Sequence, residues 1–192
     1  MRLPRAAALL VACLGAYLWL YLPQLPSSGA YWGSDYSQHL PNLLAGQYWL
    51  QTNGPFAVPW FSPGQCAGVP FLGDMNVAYY SLPQWASFAF GPIAAVRLTF
   101  LVFAAAGACG FYLLMRGPFG ASPWASATAA ALFLFGGFFA HRMIVGHLTF
   151  HPFTLTPWLA WAFLAGGEGR RWWPVAAGGL AFAYMFHAGM VH

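Results

Sequence analysis

The first apolar run of the chain, residues 6–22, reads AAALLVACLGAYLWLYL and decides the fold. A helix needs about 20 apolar residues to cross the hydrocarbon core of a bilayer, so this uncharged run predicts a membrane-spanning helix. Arg2 and Arg5 precede it. A secretory signal peptide is the alternative interpretation, with Ser28-Gly29-Ala30 as its cleavage site. The run is long for such a signal and more apolar runs follow, which favours a helix that stays in the membrane.

Four more apolar runs predict further spans. They cover about 93–115, 123–140, 152–166 and 172–190. Glycines within these runs are typical of helices that pack closely in lipid. We therefore expect an all-α fold, a polytopic transmembrane helix bundle of about five spans that forms one integral membrane domain over residues 1–192. Because the sequence ends directly after the last run, we expect the chain to be the N-terminal part of a larger protein.

The composition agrees with lipid as the main solvent of this protein. Of the 192 residues, 60% are hydrophobic and 5% are charged, whereas about a quarter of the residues in a soluble domain are charged. So few charges exclude a soluble enzyme, a disordered tail and a nucleic-acid-binding protein. Cys13, Cys66 and Cys109 show no paired spacing, so we expect no disulfide framework. Cys13 and Cys109 lie inside apolar runs and are expected to be buried.

The positions of the Arg residues predict the orientation of the bundle. With a cytoplasmic N-terminus, most of them lie inside, which follows the positive-inside rule. The inside group is Arg2, Arg5, Arg116, Arg170 and Arg171, and the outside group is Arg97 and Arg142. The same orientation places all six His on the outer side, namely His39, His141, His147, His151, His187 and His192. The polar chemistry of the chain is therefore predicted to be extracytoplasmic.

Residues 23–92 form a long extracytoplasmic first loop in this orientation. Its many Pro residues exclude one continuous helix, and its aromatic content argues against disorder. We expect two short helices at the membrane interface, over 35–50 with Ser34 as N-cap and over 76–90. The segment between them, NGPFAVPWFSPGQCAGVPFLGD, is expected to be an ordered loop that Gly and Pro interrupt.

Asp35 and Asp74 are the only charged residues of this loop. If a helix begins at Ser34, Asp35 lies in its first turn, where the helix dipole favours the ionised carboxylate, and His39 shares its face. The alternative is that Asp35 only caps the helix. Asp74 follows Gly73 and fits a turn residue as well as a functional one.

Several short motifs resemble those of a known family. Gly33-Ser34-Asp35 lies shortly after the first span, and the loop then carries Trp60-Phe61-Ser62-Pro63, Gly68-Val69-Pro70-Phe71 and Tyr79-Tyr80-Ser81-Leu82-Pro83. A further segment, HLTFHPFTLTPW, covers residues 147–158. Together these resemble the GT-C superfamily of membrane glycosyltransferases, and most closely its YfhO-like bacterial branch, over about residues 6–165.

The resemblance implies a function and a location. Such enzymes take a sugar from a polyprenyl-phosphate donor and pass it, with inversion, to an extracytoplasmic acceptor of the cell envelope; the location implied is the bacterial inner membrane. Asp35 maps onto the catalytic acid of the family and is expected to act as general base. The remaining substrate-binding candidates are His39, Asp74, Arg97, Arg142 and His147, of which Arg97, Arg142 and His147 are candidates to hold the donor phosphate. Tyr36 stands where many members have a second acid, so no metal or other cofactor is expected to be required, and a divalent cation has no supporting motif here.

Three alternatives remain open. His147-x-x-x-His151 has the spacing of metal ligands, although Pro152 argues against a continuous helix there. A transporter would need polar groups at mid-membrane, and the predicted spans offer few. A non-catalytic or truncated scaffold of the same fold is the third alternative, because only about five spans are present.

Overall fold

The computed structural model describes residues 3–27, 35–64, 68–72, 74, 76–167 and 172–189. These residues are mostly helical, as the apolar runs predicted. The α-helices are α1 (Leu3–Tyr21), α2 (Tyr36–Asn53), α3 (Leu82–Phe90), α4 (Pro92–Arg116), α5 (Pro123–Phe135), α6 (Phe138–Val145), α7 (Thr156–Gly167) and α8 (Trp173–His187).

Two 3₁₀ segments and one small hairpin complete the described structure. The first 3₁₀ segment, Leu22–Gln24, extends α1, and the second, Leu148–Leu155, joins α6 to α7. Between α2 and α3, β1 (Phe61–Ser62) pairs antiparallel with β2 (Val69–Pro70). The expected ordered loop therefore contains a short hairpin, which the sequence did not predict.

Helix α4 lies at the centre of the packing. It contacts α3, α5, α7 and the second 3₁₀ segment. Gly110 allows this close approach, because a Cβ atom there would lie 2.5 Å from the Trp158 ring. The main apolar cluster draws buried side chains from most of the bundle, among them Tyr17, Leu40, Phe100, Leu134, Met143 and Leu148. Helix α1 contributes Tyr17, whose ring stacks on Phe100 with centroids 5.5 Å apart, so α1 is an integral part of the bundle.

Three helical stretches of the described chain are long and apolar enough to cross a membrane. They are Arg5–Gln24, Pro92–Arg116 and Pro123–Val145, and they match the first three predicted spans. The third is interrupted between α5 and α6, where Gly137 adopts a φ of +80°. Helices α7 and α8 are only about 18 and 22 Å long at about 1.5 Å per residue, so the fourth and fifth spans stay predictions.

Helices are present at both places where interfacial helices were expected, with shifted starts, and their location at a membrane interface stays a prediction. Helix α2 begins at Tyr36, so Asp35 is its N-cap residue and not a member of the first turn as expected. Its side chain makes no capping hydrogen bond, because the carboxylate is directed to another segment, described below. Ser34, the expected N-cap, lies outside the described residues. Helix α3 begins at Leu82, and residues 76–81 are non-helical.

The expected burial of the cysteines was wrong. Cys13 is partly exposed and Cys109 exposed, both as free thiols, and Cys66 lies outside the described residues. Apolar faces of spanning helices point outward toward lipid tails, which are themselves apolar. An apolar run therefore does not by itself place a small side chain in the protein interior.

Candidate functional site

The side chains of Asp35 and His147 lie within hydrogen-bond distance of each other and join two distant parts of the chain. Nε2 of His147 lies 2.8 Å from Oδ2 of Asp35. The His147 side chain is 29% exposed and the Asp35 side chain is 42% exposed, so solvent can reach both. The two residues chosen from the sequence as base and phosphate ligand are thus in direct contact.

The turn after α6 brings His147 to the start of α2. Gly146 ends α6 with a φ of +98°, a left-handed conformation that favours glycine. A Cβ atom at this position would lie 2.6 Å from the backbone nitrogen of Tyr36. The Asp35 amide donates to the Val145 carbonyl at 3.3 Å, and the Tyr36 hydroxyl donates to the Met143 carbonyl. The absent side chain of Gly146 is therefore what lets the two segments meet.

Arg142 contacts the ring nitrogen of His147 that does not face Asp35, and this contact determines which ring nitrogen of His147 carries the proton. Nη1 of Arg142 lies 2.8 Å from Nδ1 of His147. A guanidinium has only N–H donors, so Nδ1 must accept and the ring proton is on Nε2. His147 then donates that proton toward Asp35, and hydrogen bonds run in one direction from Arg142 through His147 to the carboxylate.

Two aromatic rings hold the Arg142 guanidinium in place. Its central carbon lies 4.4 Å from the centroid of the Phe150 ring and 5.3 Å from that of Phe138. The faces of aromatic rings attract cations, and a guanidinium can stack on them without losing its in-plane donors. Phe138 precedes Arg142 by one helical turn on α6, so the helix itself positions the cation.

His39 extends the site on its buried side. It is 5% exposed, and its ring N–H donates to the backbone carbonyl of Asn76. Burial lowers the pKa of His39, whereas the carboxylates of Asp35 and Asp74 act in the opposite direction. His39 is thus a neutral link between α2 and the segment that begins at Asn76.

Asp74 is a turn residue, which is one of the two roles that the sequence allowed. Its Oδ1 accepts the backbone N–H of Asn76 at 2.8 Å, which closes a turn of the type that Asp side chains commonly stabilise. It acts on His39 through its charge. Asp74 therefore shapes the loop beside the site.

Arg97 has a different partner. Its Nη1 donates to the Pro26 carbonyl at 3.3 Å, which ties α4 to the chain after the first 3₁₀ segment. Among the described residues, Arg97 forms no hydrogen bond or ion pair with the Asp35–His147 pair. The sequence predicts that Arg97 lies near the outer surface. In the structure its guanidinium binds a backbone carbonyl, which competes with any phosphate for it.

The two histidines with metal-ligand spacing do not converge. His151 is fully buried, and its nitrogens contact the Leu148 carbonyl and the Tyr184 hydroxyl, each at 2.7 Å. Burial lowers the pKa of His151 to about 4. Within the ranges that the structure describes, no three His, Cys, Asp or Glu side chains group as metal ligands.

The sequence missed three residues that build this region. Tyr36 holds α2 against α6 and is fully buried, which raises the pKa of its phenol. Gly146 sets the turn, and Tyr184 joins His151 to the backbone of α3. Only Gly146 left a signal, because a glycine directly after an apolar helical run is typical of a helix end.

Comparisons with known proteins provide no relative for this chain. No protein-family model matches the sequence, and no curated protein or solved structure is significantly similar to it.

Proposed function

We propose that this chain belongs to a membrane glycosyltransferase of the GT-C type that transfers a sugar from a polyprenyl-phosphate donor to an extracytoplasmic acceptor. The observation that carries the proposal is the partly exposed Asp35 carboxylate, held by the N–H of His147 with the Arg142 cation directly behind it. A base, an orienting donor and a cation in one place are what sugar transfer from a phosphate requires.

In the proposed reaction Asp35 is the general base. Its carboxylate takes the proton of an acceptor hydroxyl while the hydroxyl oxygen forms a bond to the anomeric carbon of the donor sugar. The bond from that carbon to the phosphate oxygen breaks, and its electron pair leaves with the polyprenyl phosphate. Attack opposite the leaving group inverts the configuration. His147 keeps the carboxylate oriented through its Nε2–H.

Arg142 is suited to the charge that develops on the leaving phosphate. One of its nitrogens contacts His147, and a guanidinium carries five N–H donors in all. Planar donors of this kind bind two phosphate oxygens at once. The rings of Phe138 and Phe150 hold the guanidinium at this place in the site.

The proposed setting is the bacterial inner membrane, with the N-terminus in the cytoplasm, about five spans and residues 23–92 outside. The three apolar helices and the excess of Arg in the predicted inside segments support it. This orientation puts Asp35 just above the bilayer, where a lipid-linked donor presents its sugar. The acceptor is a hydroxyl of a cell-envelope glycan, lipid or protein.

The test is transfer of labelled sugar from a polyprenyl-phosphate donor in membranes that contain the full chain. Asp35→Asn keeps an oxygen that accepts from His147 but removes the basicity, so turnover should fall by about 10²–10⁴-fold. The protein level and donor binding should persist. Asp74→Asn is the matched control, with a much smaller loss expected.

Two outcomes would contradict the proposal. Near-normal turnover of Asp35→Asn would remove the general base, and equal losses at positions 35 and 74 would point to a shared cation site. If the wild-type chain transfers no sugar from any polyprenyl-phosphate donor while it folds normally, a non-catalytic scaffold becomes the better interpretation.

A further inference from the structure

The hydroxyl of Tyr184 joins two segments of the chain, the start of α3 and the second 3₁₀ segment. It accepts the backbone N–H of Leu82 at 3.0 Å and lies 2.7 Å from Nε2 of His151. Leu82 begins α3, His151 lies in the second 3₁₀ segment, and Tyr184 lies in α8. One oxygen atom therefore connects three elements.

The direction of each of these hydrogen bonds is determined. Nδ1 of His151 lies 2.7 Å from the Leu148 carbonyl, which can only accept, so Nδ1 carries the ring proton. Nε2 must then accept from the Tyr184 hydroxyl, whose lone pair takes the Leu82 N–H. Burial keeps His151 neutral, and the Phe103 ring, with its centroid 4.5 Å away, excludes water on that side.

Both segments joined in this way carry parts of the candidate site. The second 3₁₀ segment starts directly after His147. The chain that leads into Leu82 starts at Asn76, whose carbonyl accepts from His39 on α2. Asp35 directly precedes α2. Side-chain contacts therefore join Asp35 to His147, His151 to Tyr184, Tyr184 to Leu82, and Asn76 to His39 on α2, and the chain itself links His147 to His151 and Asn76 to Leu82.

We infer that His151 and Tyr184 are positioning residues that hold His147 against Asp35. The ring of His147 contacts Asp35 through Nε2 and Arg142 through Nδ1, but both contacts require that the backbone of His147 lies in the right place. The 3₁₀ segment that follows His147 sets that place, and the contact of the buried His151 with Tyr184 fixes the segment. The role assigned to Asp35 rests on the proposed function, but the placement of His147 does not depend on it.

Tyr184→Phe tests this inference because it removes one oxygen and keeps the ring that stacks on Phe103 with centroids 5.8 Å apart. The readout is nitrogen NMR of His147 in the full chain in micelles, which reports its tautomer and the exchange of its Nε2–H with water. Tyr184→Phe should lose the protected Nε2–H signal. Tyr80→Phe, which removes an exposed hydroxyl from residues 76–82, should retain it.

A second pair of variants separates hydrogen bonding from packing. His151→Gln keeps an oxygen that can accept from Tyr184 and should retain the His147 signal, whereas His151→Leu should lose it. In a sugar-transfer assay, a misplaced His147 should lower kcat by about tenfold to a hundredfold with little change in KM.

The outcomes distinguish this inference from the proposed function. An unchanged His147 signal in Tyr184→Phe would overturn the positioning role, whatever the transfer rates are. Equal effects of His151→Gln and His151→Leu would also overturn it, because packing alone would then account for the role of His151. A lost signal in Tyr184→Phe together with no transfer by the wild type would support the positioning role and contradict the transferase.

Discussion

At the scale of single residues, Arg142 determines how His147 forms hydrogen bonds. Because a guanidinium never accepts a hydrogen bond, it fixes the tautomer of His147, and that tautomer directs an N–H toward Asp35. Lys could supply the charge at this position, but not the planar set of N–H donors that Arg142 presents beside Phe138 and Phe150.

This difference predicts the effects of two substitutions at Arg142. In the sugar-transfer assay, Arg142→Ala should weaken donor use by about 10- to 100-fold, since a hydrogen bond to a charged group is worth about 1.5–3 kcal/mol. Arg142→Lys should weaken donor use less than Arg142→Ala, because Lys keeps the positive charge but cannot bind two phosphate oxygens at once. His141→Gln, at the exposed neighbouring position on α6, serves as the control. Wild-type donor use by both Arg142 variants would show that this side chain only stabilises the fold.

Tyr36 has a structural role at the position where the proposed family often carries a second acid. A second acid at this position would lie buried against α6, where the Tyr36 hydroxyl instead satisfies the Met143 carbonyl. An unpaired carboxylate there would incur a large desolvation cost. The position is therefore structural in this chain.

At the scale of elements, the two ends of α6 decide where the site forms. Gly137 precedes the helix and Gly146 follows it, both in left-handed conformations with φ of +80° and +98°. They differ in their surroundings: a Cβ atom at Gly137 would meet no atom within 4 Å, whereas one at Gly146 would meet the backbone of α2.

Replacing each glycine by Ala separates backbone strain from the close contact. Gly137→Ala should cost about 1–2 kcal/mol, the strain of a left-handed L-residue. Gly146→Ala should cost clearly more and should also lower sugar transfer, because α2 and the turn must move apart. Thermal unfolding in micelles measures the first effect. Equal destabilisation by the two variants would mean that the backbone of α2 moves away from the added Cβ atom at no cost in stability.

At the scale of the whole molecule, the orientation in the membrane decides whether the site faces the donor. We predict that a membrane-impermeant thiol reagent labels Cys66 from the outside of intact cells, because residues 23–92 are expected to be extracytoplasmic. Cys13 and Cys109 lie within α1 and α4 and should be shielded by lipid.

Two variants control this experiment. Cys66→Ser should abolish the labelling, and Ala121→Cys in that background should react only after the membrane is permeabilised, since the turn after α4 is expected to be cytoplasmic. Labelling of Cys66 only from the cytoplasmic side would reverse the orientation and separate Asp35 from an extracytoplasmic acceptor.

The sequence by itself determined the helical class, the three long apolar helices and the set of candidate polar residues. Hydropathy and run length are local properties, so α1 and α4 lie close to their predicted positions. Charged residues are so rare in this chain that all those predicted on the outer side, Asp35, Asp74, Arg97 and Arg142, were candidates before any contact was known.

Only the tertiary structure decided which candidates meet. Tyr36 and Met143 are 107 residues apart in the chain, and their contact, with the turn at Gly146, brings His147 to Asp35 while Arg97 goes to a backbone carbonyl. Such pairing depends on how α2, α6 and the second 3₁₀ segment pack, and no local pattern encodes it. The physical reason is that a hydrogen bond requires two atoms within about 3 Å, a distance that only the assembled helices set.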